Sequence, residues 1–265
     1  MLNSITSSLT HRIFPSLPSC MLLHRCLISI ALSPLLTDIS SDMCRYKFSY
    51  APGYFVDYIE AAKGCPGSKL VTQPNLGLLG SITTTDPVDE GIAVAQKLGD
   101  LWTKWASPST GVPMPSTVYT SPLARCLETT KLVYSRVLAE NGGQALHPQV
   151  KELLRERLTD HTCDKRSPRS WISQNYPECV LEQGFEEEDA LWAADRSETN
   201  EEHVARKQRL LEDIFASDDS VFVSLTTHSY AILAILEAVG GPHFRVSEGA
   251  IFPLLVRGEK ITSKE

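Results

Sequence analysis

The chain has no Cys-x-x-Cys pair, no internal repeat and no excess of positive charge. Each absence removes a class of protein. The seven cysteines (20, 26, 44, 65, 126, 163, 179) are odd in number and scattered, which excludes the common zinc spacings and fits reduced thiols in a cytoplasmic compartment. No stretch reaches the roughly 18–20 apolar residues of a membrane helix, so no integral membrane segment is expected. The formal charge is −7 with an isoelectric point near 5.5, which disfavours general nucleic-acid or anionic-membrane binding. What is present, 265 residues with 42% hydrophobic and 22% charged, suits one sizeable α/β core.

Residues 1–45 stand apart from the rest. No acidic residue precedes Asp38, Ser and Leu are abundant, and the cations are His11, Arg12, His24 and Arg25. This is an extension that is either disordered or targeting-like, with a composition that fits a mitochondrial transit peptide. Residues 46–265 then read as one domain.

The most informative segment is Ser121-Pro122-Leu123-Ala124-Arg125-Cys126-Leu127-Glu128-Thr129, which follows the β-branched run Thr117–Thr120. It predicts a strand, a turn and a helix continuing through Val137, with Pro122 in the first turn, where its missing N–H costs nothing. A helix start offers free N–H groups, and Arg125 one turn in can fork onto the same anion. The bland alternative is an ordinary strand-to-helix turn with a surface arginine. A second strand, about Val221–Thr227, delivers His228 at its C-terminal end, ahead of a helix from Tyr230 to Val239 closed by Gly240-Gly241-Pro242. Between them Leu154-Arg155-Glu156 and His161-Thr162-Cys163-Asp164-Lys165-Arg166 set a carboxylate among cations, where it can serve as a general acid. Taken singly, His228 reads equally well as a core histidine and Glu156 as a solvated ion-pair partner.

Elsewhere, Ile92–Leu98 reads as a helix and Glu198–Phe215 as an amphipathic helix covering the sheet. Gly64–Ser68 and Ser107–Pro113 read as surface turns. Glu186–Asp189 reads as a solvated helix start or as a lid that excludes wrong anions, and Gly249–Val256 as a closing strand that Pro253 makes an edge or a bulge. The alternation of strands and helices gives a three-layer α/β fold with a mostly parallel sheet.

In this order, Ser121-Pro122-Leu123-x-Arg125-x-x-x-Thr129, Leu154-Arg155-Glu156, His161–Arg166 and Thr227-His228-Ser229, with Pro52-Gly53-Tyr54-Phe55 near the front, resemble the histidine phosphatase superfamily. These are the phosphoglycerate-mutase-like proteins, and the likeness is to their fungal phosphomutase-like branch, over about Tyr46 to Lys260. The resemblance implies a phosphoglycerate-mutase-like fold, a small phosphorylated metabolite as partner, and no metal or other cofactor. It makes Glu156 the proton donor and His228 the second histidine, with Arg125, Arg155, Lys165 and Arg166 binding phosphate. It leaves the oligomeric state open.

One departure matters more than the matches. In that family an Arg-His-Gly at the end of the first strand supplies the nucleophilic histidine, and this chain contains no Arg-His-Gly. Leu79-Gly80 runs almost directly into Thr85–Gly91, as if the first central strand were deleted. Two functions follow as expectations: a phosphomonoester-binding relative with impaired catalysis, or a non-catalytic interaction or scaffold protein. Cys163-x5-Arg169-Ser170 superficially resembles a cysteine-phosphatase loop, but Asp164 would repel phosphate and Pro168 removes a cradle donor.

Overall fold

The computed structural model of the chain describes residues 25–27, 29–31, 45–50, 114–140, 147–243, 246 and 254–261, and helical positions between 92 and 103. The motif Pro52–Phe55, the tracts Gly64–Ser68, Leu79–Gly91 and Ser107–Pro113, and Pro253 lie outside the described residues.

Four parallel strands in the order β6-β5-β4-β7 carry the motifs: β4 (Thr117–Thr120), β5 (Gln149–Val150), β6 (Val180–Leu181) and β7 (Phe222–Thr226). The Thr117–Thr120 run forms a strand because its β-branched and aromatic side chains fit a pleated, buried surface. Its alternation assigns the layers. Val118 packs with Ala95, Leu98 and Trp102, and with Val133 and Tyr134 of helix α1 (Ala124–Glu140). Tyr119 points to the opposite face, with Leu210, Leu211 and Ile214 of α3 (Asn200–Ser217) and Ile235 and Leu236 of α4 (Ser229–Ala238). Successive strand residues face opposite sides, so one short strand holds both helical layers. Each fully buried Leu or Ile here contributes about 1.5–3 kcal/mol. A third cluster (Leu127, Val150, Ile172, Tyr176, Phe185) seats the short helix α2 (Arg169–Asn175) beside β5.

A second sheet has the order β1-β2-β8-β3, from β1 (Arg25–Leu27), β2 (Ser29–Ala31), β8 (Leu254–Ile261) and β3 (Arg45–Tyr50). The mostly parallel arrangement therefore holds for the motif-bearing sheet, whereas β8 runs antiparallel to β1 and β3 and parallel to β2. β8 is an interior strand of this sheet, not an edge. Two segments of the front extension are thus strands on β8, and they lie beside β7, whose ladder partner among the described strands is β4. Gly258 in β8 sits opposite Phe48, and a Cβ there would come within 2.7 Å of the Phe215 ring and 3.1 Å of Phe48. Glycine is what lets those two rings meet, with centroids 5.0 Å apart.

Helix boundaries follow their caps. α3 begins two residues later than the pattern from Glu198, because Thr199 and Glu202 form a reciprocal capping box. α4 stops at Ala238 and is closed by Gly240, whose φ of +71° is the left-handed conformation that glycine adopts freely, with Gly241 N–H donating to Leu236 O at 2.7 Å. The Glu186–Asp189 tract contains no helix. Among the described residues no helix is long and apolar enough to cross a membrane.

Candidate functional site

The parallel register of β4 and β7 pairs Thr120 with Thr226, so the two strands end level and Ser121 N–H donates to Thr226 O at 3.0 Å. Ser121 and His228 therefore meet where each strand turns into its helix. The Arg125 Nε donates to His228 Nδ1 at 3.2 Å, which fixes Nδ1 as the acceptor and puts the ring proton on Nε2. That nitrogen lies 2.8 Å from Ser121 Oγ and 3.3 Å from Cys126 Sγ. Burial, then the charge of Arg125, holds the His228 imidazole well below the usual histidine range, so it is neutral at pH 7. Burial pushes the Cys126 thiol up to about 12, which makes it inert.

Arg125 also donates from Nη1 to Cys163 O at 2.8 Å, and its Nη2 lies 3.7 Å from Asp164 Oδ1. Its side chain keeps 34% of its exposure. The guanidinium is thus oriented by His228 and the Cys163 carbonyl while part of its fork faces solvent, the geometry of an arginine able to take a phosphate bidentately.

Glu156 closes another side. Its carboxylate accepts the N–H of Arg157 at 2.9 Å and of Tyr230 at 3.3 Å. His228 is the N-cap of α4 but makes no side-chain cap bond, because its ring is turned to Arg125 and Ser121, so Glu156 satisfies an N–H of that helix start instead. Desolvation raises the Glu156 pKa despite these bonds and despite Lys207 and Arg125. A carboxyl shifted upward is better suited to carry a proton near neutral pH.

The other cations the motifs single out are placed differently. Arg155 is fully buried and makes two parallel 2.7 Å bonds to Asp189, with further bonds to Glu152 and Asp164 O. Arg166 donates to Glu152, Ser167 O and the carbonyls of Glu186, Glu187 and Glu188, and stacks 4.2 Å from the Phe185 centroid. Chain acceptors take up the fork of each of these two arginines, unlike that of Arg125. Lys165 is exposed, 5.1 Å from the Trp192 ring centroid. Asp189 is neither a solvated helix residue nor part of an open lid. Burial alone would raise its pKa, but the bonds and charge of Arg155 outweigh it and hold the carboxyl below its usual value.

The Cys163 loop is no anion cradle. The N–H groups of Asp164, Lys165, Arg166 and Arg169 are given to His161 O, Thr162 O, Asp189 and Glu187 O. Burial and Asp164 raise the Cys163 thiol's pKa, the reverse of what a nucleophile needs. Two groups that sequence reasoning left out of the site are Ser121, which receives His228, and Thr227, whose hydroxyl donates to Leu154 O at 2.6 Å. Their position next to Arg125 and His228 in the motifs was the available signal. Among the described residues no group of three or more His, Cys, Asp or Glu side chains could hold a metal ion.

Residues 88–247, more than half the chain, match the sequence model of the histidine phosphatase superfamily (branch 1). The chain belongs to that superfamily. A protein of Arthroderma benhamiae named "Probable phosphoglycerate mutase" is 42% identical over 185 residues, covering 69% of this chain and 54% of that protein. "Phosphomutase-like protein 3" of Candida albicans is 32% identical over 145 residues, covering 54% and 44%. The chain spans about half the length of these curated relatives. Among solved structures, the α-ribazole phosphatase of Shigella flexneri aligns over 63% of this chain and 81% of its own, at 18% identity and a TM-score of 0.39. The sequence of this histidine phosphatase family member contains no Arg-His-Gly.

Proposed function

We propose that this chain binds a small phosphomonoester at Arg125, His228 and Ser121, with Glu156 placed as proton donor, and turns it over inefficiently or not at all. The observation that carries the reading is the 3.2 Å Arg125–His228 bond at the level ends of two parallel strands, with the guanidinium still part-exposed. Ligands of parallel α/β sheets collect at such strand ends. Phosphoryl transfer depends on charge neutralisation and in-line positioning, which this cluster supports.

The covalent step needs an attacking imidazole. His228 is poorly placed for it, because one ring nitrogen accepts from Arg125 and the other faces Ser121. It is a holder of phosphate in this reading. The family's attacking histidine belongs to an Arg-His-Gly that the sequence lacks. Inorganic phosphate and p-nitrophenyl phosphate test the two halves separately. The expected result is saturable phosphate binding without appreciable p-nitrophenol release. Release on the order of 1 s⁻¹, within the ordinary enzyme range, would contradict the claim of impaired catalysis.

A further inference from the structure

Four consecutive carbonyls lead into and include the proton-donor position, and a side chain from elsewhere in the fold holds each of them. Leu153 O accepts from Arg206 Nη1 at 3.1 Å and Lys207 Nζ at 2.7 Å. Leu154 O accepts from Thr227 Oγ1 at 2.6 Å. Arg155 O accepts from Arg206 at 3.0 Å and Lys207 at 2.5 Å, and Glu156 O from Arg206 Nη2 at 2.8 Å. A loop of this kind normally gives its carbonyls to water. Here α3 and the end of β7 take them all.

The donors are unusual. Lys207 is fully buried, and it donates to the carbonyls of Leu153 and Arg155 where a buried ammonium would ordinarily meet a carboxylate. A buried ammonium is costly, and core packing alone would be served better by an apolar residue. Arg206 is itself aimed by Glu198, through bonds of 2.8 and 2.6 Å. Thr227 is the residue immediately before His228, so its hydroxyl ties the Glu156 loop directly to the strand that carries the phosphate-holding histidine.

We propose that Thr227, Arg206 and Lys207 are positioning residues for Glu156: they clamp residues 153–156 to β7 and α3, so that its carboxyl is held at the start of α4 and moves as one body with His228. This rests on reading Glu156 as the proton donor. The amides of Arg157 and Tyr230 bond its carboxyl, and the charges of Lys207 from α3 and Arg125 from α1 and the Cys126 thiol of α1 are electrostatically coupled to it. If the clamp opens, the carboxyl leaves that set and its titration changes.

The test uses the full chain with carbon-13 in the glutamate carboxyls, the Glu156 signal being assigned by its loss in Glu156→Gln. Thr227→Val keeps the side-chain shape and removes the hydroxyl, while Thr227→Ser keeps the hydroxyl. Thr227→Val should shift the Glu156 titration midpoint by about half a pH unit or more and speed exchange of the Tyr230 amide roughly tenfold, and Thr227→Ser should do neither. If the valine variant fails to fold, Lys207→Met is read by the Tyr230 amide exchange alone, because loss of the Lys207 charge itself acts on the Glu156 titration. An unmoved midpoint with unmoved exchange in a folded Thr227→Val, or unmoved exchange in a folded Lys207→Met, would overturn the proposal. Neither readout needs bound phosphate, so a chain that fails to bind phosphate defeats the functional reading and leaves this one standing.

Discussion

Arg125 and Arg155 both come from motifs that point to phosphate, and their surroundings make them opposites. Arg155 has no side-chain exposure and is closed onto Asp189 by two parallel bonds, whereas Arg125 keeps a third of its exposure and is held by a neutral histidine, one carbonyl and a longer, 3.7 Å ion pair to Asp164. What separates them is the supply of acceptors from the chain itself. A guanidinium whose fork is closed by short internal bonds serves as a strut, and the one that stays partly open to solvent is the proposed receptor. Arg166, wrapped by three consecutive carbonyls and Glu152, falls with Arg155.

The sharpest way to break this contrast is to remove the partner on each side. Asp189→Ala should destabilise the fold by about 3–5 kcal/mol, because it strands a buried guanidinium, and thermal unfolding would register it. Arg125→Ala should leave the melting temperature nearly unchanged. It should weaken inorganic-phosphate binding by about 1.5–3 kcal/mol, roughly ten- to a hundredfold. If the two variants exchanged these phenotypes, the division into strut and receptor would be wrong.

The buried histidines give a pH test of the same interior. Burial, then Lys207 and Arg206, lowers the His203 pKa to about 3, and His228 is displaced in the same direction. The unfolded chain protonates these rings near the ordinary histidine value of about 6.5 while the folded chain does not. The histidine contribution to stability should therefore be level above pH 6.5 and fall progressively from there toward pH 3. Denaturant midpoints measured across that range would check it, and in His203→Gln the slope should shrink throughout it. Glu156, shifted upward, works against this trend between its ordinary value and its raised one.

Two smaller effects sharpen the picture. Thr199→Ala removes the capping box of α3 and should cost about 1 kcal/mol, measurable by urea unfolding. An alkylating reagent should modify exposed Cys163 and leave Cys126 untouched, since burial pushes its thiol to about 12. Mass spectrometry of the native protein distinguishes the two sites.

How much of this was legible in the sequence depends on where each hydrogen-bond acceptor comes from. β4 lies where its β-branched run placed it, β7 and α4 fall within one or two residues of their patterns, and the adjacency of Arg125 and His228 followed from motif order. The two-residue strands β5 and β6 carry too little periodicity to be read. The internal bonding of Arg155 and Arg166 was not legible, because their acceptors are main-chain carbonyls, Glu152 and a distant Asp189, which no local pattern reveals. The same holds for His203, Arg206 and Lys207: a helical pattern with charges on one side predicts solvent there, yet these three are buried against the Glu156 loop. Pairing of β1 and β2 with β8 was equally invisible, since composition alone marked residues 1–45 as an extension.

The central claim is that Arg125, with His228 behind it, is a receptor for phosphate. Titration calorimetry of the full chain with inorganic phosphate, run beside Arg125→Ala at pH 7 and low salt, tests it most directly. The account expects one saturable site in the parent and a loss of at least tenfold in the variant, about 1.4 kcal/mol. No binding by the parent, or equal binding by both proteins, would contradict it.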